Sequence, residues 1–502
     1  MKPVILPSAA RRYVPIVIAA CLSLIVSVPV KAADADSRVL HVLNRLAFGP
    51  NADDLAYIKT VGVGRYIAEQ LDPVDIAEPI ELRFRLAQLT TIGLGAFELR
   101  QLYGPLRPED GVKPSLDDIK AQQARANLVL REAAEARLWR AVLSRRQLQE
   151  VMVNFWFNHF NIFPGEGLAR IWIGNYEEQA IRRYALGSFR DLLFAVAKHP
   201  AMLVYLDNTQ NVATARTGLD RLNENFAREV MELHTLGVDG GYTQDDVESL
   251  ARVFTGWRVN TPGGGDYPGT AAVFEGADHD YRPKVFLGRA LDARGKAEGE
   301  EALAILAASP STAHHIAFEL AQYFVADTPP PALVDRLAAV FLATGGDIRG
   351  TLQKLFESSE FWASAGQKYK TPYEFVISAV RAAGTPVNNV RPLLGWISRL
   401  GMPVYGCETP DGYKNTAAAW LSPDATMQRI AFAAAFAAGA VPVSAGGDGP
   451  TGVPRRRPAV DAKQLEALLG ATLSPATRAV IKAAPAGERA ALILGSPEFM
   501  ER

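Results

Sequence analysis

Apolar positions along the chain recur mostly at intervals of three and four, the spacing of one face of an α-helix. "DSRVLHVLNRLAF" holds this period until Gly49-Pro50 ends it. "NADDLAYIKTVG" opens on Asn51, an N-cap residue with Asp54 three positions on, and stops at Gly62. "SFRDLLFAVAKHP" pairs Ser188 with Asp191 and ends before Pro200, and "TQDDVESLARVFTGW" pairs Thr243 with Asp246. Both pairings predict capping boxes, so Thr243 and Asp246 have a structural task and are set aside as catalytic candidates. No series of alternating strands with short turns occurs. The pattern predicts an all-α fold: a large multi-helix single domain with a small irregular or β-hairpin insertion around 258–294. There "AAVFEG" and "KVFLG" predict a small hairpin.

The same reading divides the chain into a targeting segment (1–32), a main helical domain (33–443), a flexible linker (444–458) and a C-terminal helical segment (459–502) packing on the main domain. The linker is "SAGGDGPTGVPRRRP". A second irregular stretch, "GMPVYGCETPDGYKN", spans Gly401 to Asn415. Ser-x-Glu-Phe recurs at Ser358 and Ser496, and two copies do not make a solenoid.

Two polar stripes interrupt the apolar pattern. In "NFWFNHFNIF", a turn of about 100° per residue puts Glu150, Asn154, Asn158 and Asn161 on one line. Phe155, Trp156, Phe157, His159 and Phe160 take the other sides, so this helix is buried almost all round. An unpaired buried amide costs about 1–3 kcal/mol, so the stripe is either a structural amide ladder or the wall of a pocket. In "RLNENFAREVMELHTLG", Arg221, Asn225, Arg228, Glu229 and Glu232 share a face, opposite Phe226, Val230 and Leu233, and Gly237 ends the helix. One reading is a solvent face with Arg228 and Glu232 paired at i,i+4. The other is a carboxylate pair, Glu229 and Glu232, doing acid–base work in a pocket shared with the amide stripe. The substrate-binding candidates are then Asn154, Asn158, Asn225, Arg228, Trp257, His279 and Asp280.

Recognised metal spacings are missing. Glu229 and His234 stand five apart and point in different directions, so this is no His-Glu-x-x-His helix, and no Glu-x-x-His motif occurs. His159 and His234 fall on apolar faces and read as hydrogen-bonded core residues. A metal site can arise only from separate segments converging; the loop candidates are Asp278, His279 and Asp280 in "GADHDYRPK", with an exposed turn as the alternative. No cofactor or metal is assigned. Gly-x-Ser-x-Gly, Walker and Cys-x-x-Cys motifs are all lacking.

Composition adds limits. The 502 residues are 48% hydrophobic, enough for a large core, and 53 basic against 54 acidic side chains give no footprint for nucleic acid. Lys2, Arg11 and Arg12 precede an apolar run from Tyr13 to Val30, with Val30 and Ala32 in "VKAADAD" as small residues before a cut. Pro15, Pro29 and that cut favour a cleaved signal peptide over an anchor, and hence a periplasmic or secreted protein without a stable membrane span. A lipoprotein box at Ile18 to Cys21 ranks second, because the apolar run continues past the cysteine. Cleavage near Ala32 leaves Cys407 alone, so no internal disulfide is expected.

Several stretches resemble the bacterial family called domain of unknown function 1800. They are "HVLNRLAFGP", "FWFNHF", "IRRYALGSFRDLLFAVAKHPAMLVYLDN", "NENFAREVMELHTLGVDGGYTQDDVESLARVFTGW", "HDYRPKVFLG", "PSTAHHIAFELAQYFVAD" and "LGSPEF". The resemblance spans nearly all of the chain after the leader. It implies an exported helical protein of the cell envelope. It also implies a co-exported partner from the domain of unknown function 1501 family, which resembles metal-dependent phosphatases and sulfatases. One departure is Gly412-Tyr413, where such proteins typically carry Gly-Trp. Three functions are carried forward. The first is a hydrolase of a glycan or envelope polymer using Glu229 and Glu232. The alternatives are a non-catalytic binding or assembly partner of an exported protein, and a metal-dependent enzyme built on 278–280.

Overall fold

The computed structural model describes residues 35–105, 114–213, 222–259, 272–444 and 459–502. The leader segment with Cys21, Arg221 of the second stripe and linker residues 445–458 lie outside them. The fold is all-α with a small β insertion. Capping explains many of the helix starts: Asn51 Oδ1 accepts from Asp54 N at 2.7 Å, and Gly62, at φ +85°, ends that helix. Thr243 and Asp246 form a complete capping box. Ser188 accepts from Asp191 N, but the return bond from Asp191 is not formed, so only half of that box exists.

One continuous apolar core runs from Val39 to Met500. The long helix Leu116–Leu143 packs on Ala169–Tyr176, and Pro310–Phe324 packs on Pro331–Ala343. Both ends of the described residues fold into the same body. His41 Nε2 meets the Phe361 carbonyl at 2.9 Å, and the helix Arg489–Leu494 lies on Pro423–Ala437. No helix among the described residues is long and apolar enough to cross a membrane.

The insertion differs from the expected hairpin. Ala272–Phe274 pairs antiparallel with Trp257–Val259, and Lys284–Phe286 pairs antiparallel with Arg289–Leu291. The second pair closes through Leu287 and Gly288, both at positive φ, as a two-residue hairpin turn demands. Leu287 holds that costly conformation while its N–H donates to Asp246 Oδ1 at 2.7 Å.

Two helices are shorter than their apolar patterns. Gln147–His159 ends at Phe160, leaving Asn161 beyond it. Asn225–Glu232 ends well before Gly237. There Thr235 Oγ1 takes the Val230 carbonyl at 2.6 Å, and Leu236 N reaches back to Met231 O at 2.8 Å, so the chain unwinds through a wide turn.

Candidate functional site

The amide stripe holds a loop. Asn158 Nδ2 donates to the Tyr413 carbonyl at 2.9 Å, and Asn158 Oδ1 accepts from Tyr413 N at 2.8 Å. Asn161 Nδ2 donates to the carbonyls of Cys407 at 3.0 Å and Thr409 at 2.8 Å. Asn154 Oδ1 accepts from Arg137 at 2.9 Å, and Glu150 is ion-paired with Arg182. Asn158 and Asn161 thus satisfy backbone that has no helix or sheet partner of its own. Tyr405 in this loop keeps a φ of +61°, with its hydroxyl donating to Glu177 at 2.9 Å.

Docking of the loop leaves a cavity of about 260 Å³. Asn154, Phe155, Asn158 and His159 line it from the opening helix, and Asp411, Tyr413 and Lys414 from the loop. The opposite wall is the helix Pro310–Phe324, which starts with Ser309 as cap and Pro310 in its first turn. His315 and Glu319 stand four apart there and so share a face, turned into the cavity with Gln322 and Tyr323.

His159 is buried, as its apolar-face position implies, yet it meets a polar group. Its Nδ1 lies 2.6 Å from Glu319 Oε2, and its Nε2 lies 3.2 Å from the His234 carbonyl. A carbonyl can only accept, so Nε2 carries a hydrogen. His315 Nε2 lies 3.7 Å from Glu319 Oε1 and 3.2 Å from the Leu233 carbonyl. Burial drives the Glu319 carboxyl upward, but His159 first, then His315 and Lys414, together outweigh it and hold the group below the usual range. Burial depresses His315. Among the described residues, His159, His315 and Glu319 are the one such group able to hold a metal ion, with one ligand atom from each within 4.8 Å of the others.

The second stripe lies nearby but does not line this cavity. Glu229 is half-buried, and its carboxyl is raised by burial first, then by repulsion from Glu232 and Asp411. Glu232 accepts from the Tyr242 hydroxyl at 3.1 Å. Arg228 pairs with Glu224 at 3.0 Å and with Gln244 at 2.9 Å, so the expected Arg228–Glu232 pair is not formed. Asn225 is exposed.

The 278–280 loop is a packed knot rather than an exposed turn. His279 sits between the Thr255 carbonyl at 2.9 Å and Glu298 Oε1 at 3.3 Å. Lys284 Nζ occupies the other Glu298 oxygen at 2.7 Å, so an ammonium already stands where a cation would be held. Asp280 is bound by Arg252 and Arg282, and Asp278 by Arg258 at 2.8 Å. Trp257 is buried in the core, with its ring over Gly299, where an added Cβ would stand 2.4 Å from Cζ2. The structure therefore does not bring Trp257, His279 or Asp280 to the cavity.

A larger groove of about 790 Å³ lies between the N-terminal helices and Ile348–Phe356. Lys59 pairs there with Asp36 and Arg349 with Asp72, Arg38 lies over the Trp362 ring, and no histidine lines it. Sequence reasoning missed His315 and Glu319. Their His-x-x-x-Glu spacing on a capped helix was the available signal, though it does not reveal His159 as the third member.

A family model described as "Protein of unknown function (DUF1800)" matches residues 41–501. No curated protein and no solved structure matches the chain.

Proposed function

We propose, for a chain that belongs to the DUF1800 family and inherits no named reaction from it, that it is a hydrolase acting in the cavity walled by His159, His315 and Glu319. The observation that carries this reading is the 2.6 Å contact between an imidazole nitrogen and a carboxylate beside a space open to solvent. Such a cluster can take a proton from water as its oxygen attacks, then return it to the leaving oxygen. The substrate class is an uncharged polar polymer of the glycan type. Gln322, Asn415 and Lys414 offer hydrogen bonds for hydroxyls, while Phe155, Tyr323 and Tyr413 offer ring surface. The leader pattern supports a periplasmic or secreted setting, where a glycan or envelope polymer is at hand.

The test is turnover by the purified protein on a panel of glycans, esters and amides. Glu319→Gln and His315→Gln should each lower kcat/KM by about 10²-fold or more. Undiminished turnover in both variants would sink the proposal. Lack of any turnover, with co-purification of another envelope protein, would favour the assembly-partner reading.

A further inference from the structure

We infer that His159, His315 and Glu319 bind one divalent transition-metal ion of the zinc type, leaving a coordination position open to the cavity. Two histidines and one carboxylate with a vacant fourth position form the ligand set of a catalytic rather than a structural zinc site. The ion's catalytic role rests on the hydrolase reading above, with the bound ion in place of the His159–Glu319 pair activating the water; its binding does not.

His159 Nε2 donates to the His234 carbonyl, so the neutral ring presents a bare lone pair at Nδ1. That lone pair faces Glu319 Oε2, another acceptor, at 2.6 Å. Two acceptors so close need a positive charge between or beside them: a proton on Nδ1 or a metal ion. His315 turns the choice toward the metal, because its Nε2 faces the other oxygen of the same carboxylate at 3.7 Å. A proton on His159 leaves that oxygen facing His315 across 3.7 Å, whereas an ion can be shared by both rings and the carboxylate.

The surroundings match what a metal site requires. The bond from His159 Nε2 to a backbone carbonyl fixes the tautomer and ring orientation, as outer partners of metal-bound histidines do. Gly237, at φ +84°, lies beside the His315 ring, where an added Cβ would come within 3.1 Å of Nδ1. Binding through Nε2 gives up the 3.2 Å hydrogen bond to the Leu233 carbonyl and moves the ring proton to Nδ1. Three of the chain's seven histidines meet here, with ring centres 6.1 Å apart for His159 and His234 and 6.2 Å for His159 and His315. His234 Nε2 is buried without a hydrogen-bond partner. The other charged groups on the cavity, Asp411 and Lys414, pair with each other at 2.6 Å, so Lys414 does not neutralise Glu319 by direct contact. Tetrahedral ligands about 2.0–2.1 Å from zinc lie roughly 3.3 Å apart. The 2.6 Å gap to Oε2 must therefore open by about 0.7 Å and the 3.7 Å gap to Oε1 close by about 0.4 Å, a change that rotation of the partly exposed Glu319 side chain can supply.

The test uses the full chain, stripped of metal by a chelator and titrated calorimetrically with Zn²⁺. We expect one ion per chain. His315→Gln and Glu319→Gln should each weaken binding by at least the roughly 10–100-fold that loss of an outer-shell partner costs. His314→Gln, on the exposed neighbour, should leave affinity unchanged, with far-UV circular dichroism checking that each variant folds. Co²⁺ should give a visible ligand-field band that Glu319→Gln removes. Lack of stoichiometric binding, or wild-type affinity in both ligand variants, overturns the inference. Turnover that survives chelation with no ion bound overturns the ion's catalytic role while leaving the hydrolase reading standing. Stoichiometric Zn²⁺ with no turnover on any substrate leaves the site standing and removes the hydrolase.

Discussion

Asn158 and Tyr413 hold each other at both ends: the side-chain amide donates to the Tyr413 carbonyl at 2.9 Å and accepts from the Tyr413 N–H at 2.8 Å. Residues 255 apart in the chain are thereby joined in the manner of a β-bridge, with a side chain standing in for a strand. Asn158→Ala strands both backbone groups. It should cost about 1–3 kcal/mol in denaturant unfolding and speed hydrogen exchange at the Tyr413 amide. Unchanged protection at Tyr413 would show that the loop is held elsewhere.

Gly412 is required by the same junction. Its φ is +65°, and an added Cβ would stand 2.2 Å from the Asn158 carbonyl oxygen. Gly412→Ala should destabilise by about 1–3 kcal/mol. Gly395→Ala, in the helix Arg391–Arg399 with nothing within 4 Å of its added Cβ, should instead stabilise by roughly 0.5–1 kcal/mol. Urea midpoints of the two variants should move in opposite directions.

Which carboxylate does the chemistry is open to a direct comparison. Glu319 lines the cavity; Glu229 and Glu232 do not. Glu319→Gln should lower kcat/KM by about 10²-fold or more, while the double change of Glu229 and Glu232 to glutamine should stay within about tenfold of wild type. The reverse order would return the catalytic role to the second stripe.

Lys284 and Glu298 form a fully buried ion pair at 2.7 Å, with His279 on the remaining carboxylate oxygen. Lys284→Met leaves Glu298 charged and unpaired. It should cost about 3–5 kcal/mol by chemical denaturation. Adding Glu298→Leu should recover much of that loss, since replacing both partners avoids the stranded charge.

Lys370 supplies a pH signature. Its ammonium is enclosed by Ser378 Oγ at 2.9 Å and the Phe499 carbonyl at 2.7 Å. Burial lowers it to about 7 from 10.5; Glu374 opposes the shift, and Arg502 and Arg429 reinforce it. The unfolded chain therefore binds one more proton here above about pH 7, and stability rises with pH in that range. Wild type should gain stability between about pH 7 and 9 relative to Lys370→Met, whose profile should lack that rise. Parallel profiles would show that Lys370 does not titrate there.

Much of the fold was legible because its signals are local. The Asn51 and Thr243 caps and the Gly62 stop depend on neighbours within a few residues. The strand partners were misread because pairing depends on turn chemistry at Leu287-Gly288, which alternation does not display. The missing Arg228–Glu232 pair has a similar cause. Arg228 found Glu224 and, from the next helix, Gln244.

What the sequence determined by itself is the angular position of each side chain around its own helix. It placed Asn158 on a line of amides and His159 on the packed side, and His159 is indeed buried. Only the tertiary structure decided what the packed side packs against. The helix laid there carries His315 and Glu319, so a residue read as core becomes one wall of a polar cluster. The reason is physical: helical period encodes which faces leave water. Which face meets which is settled by packing among elements as far apart as His159 and Glu319, 160 residues along the chain.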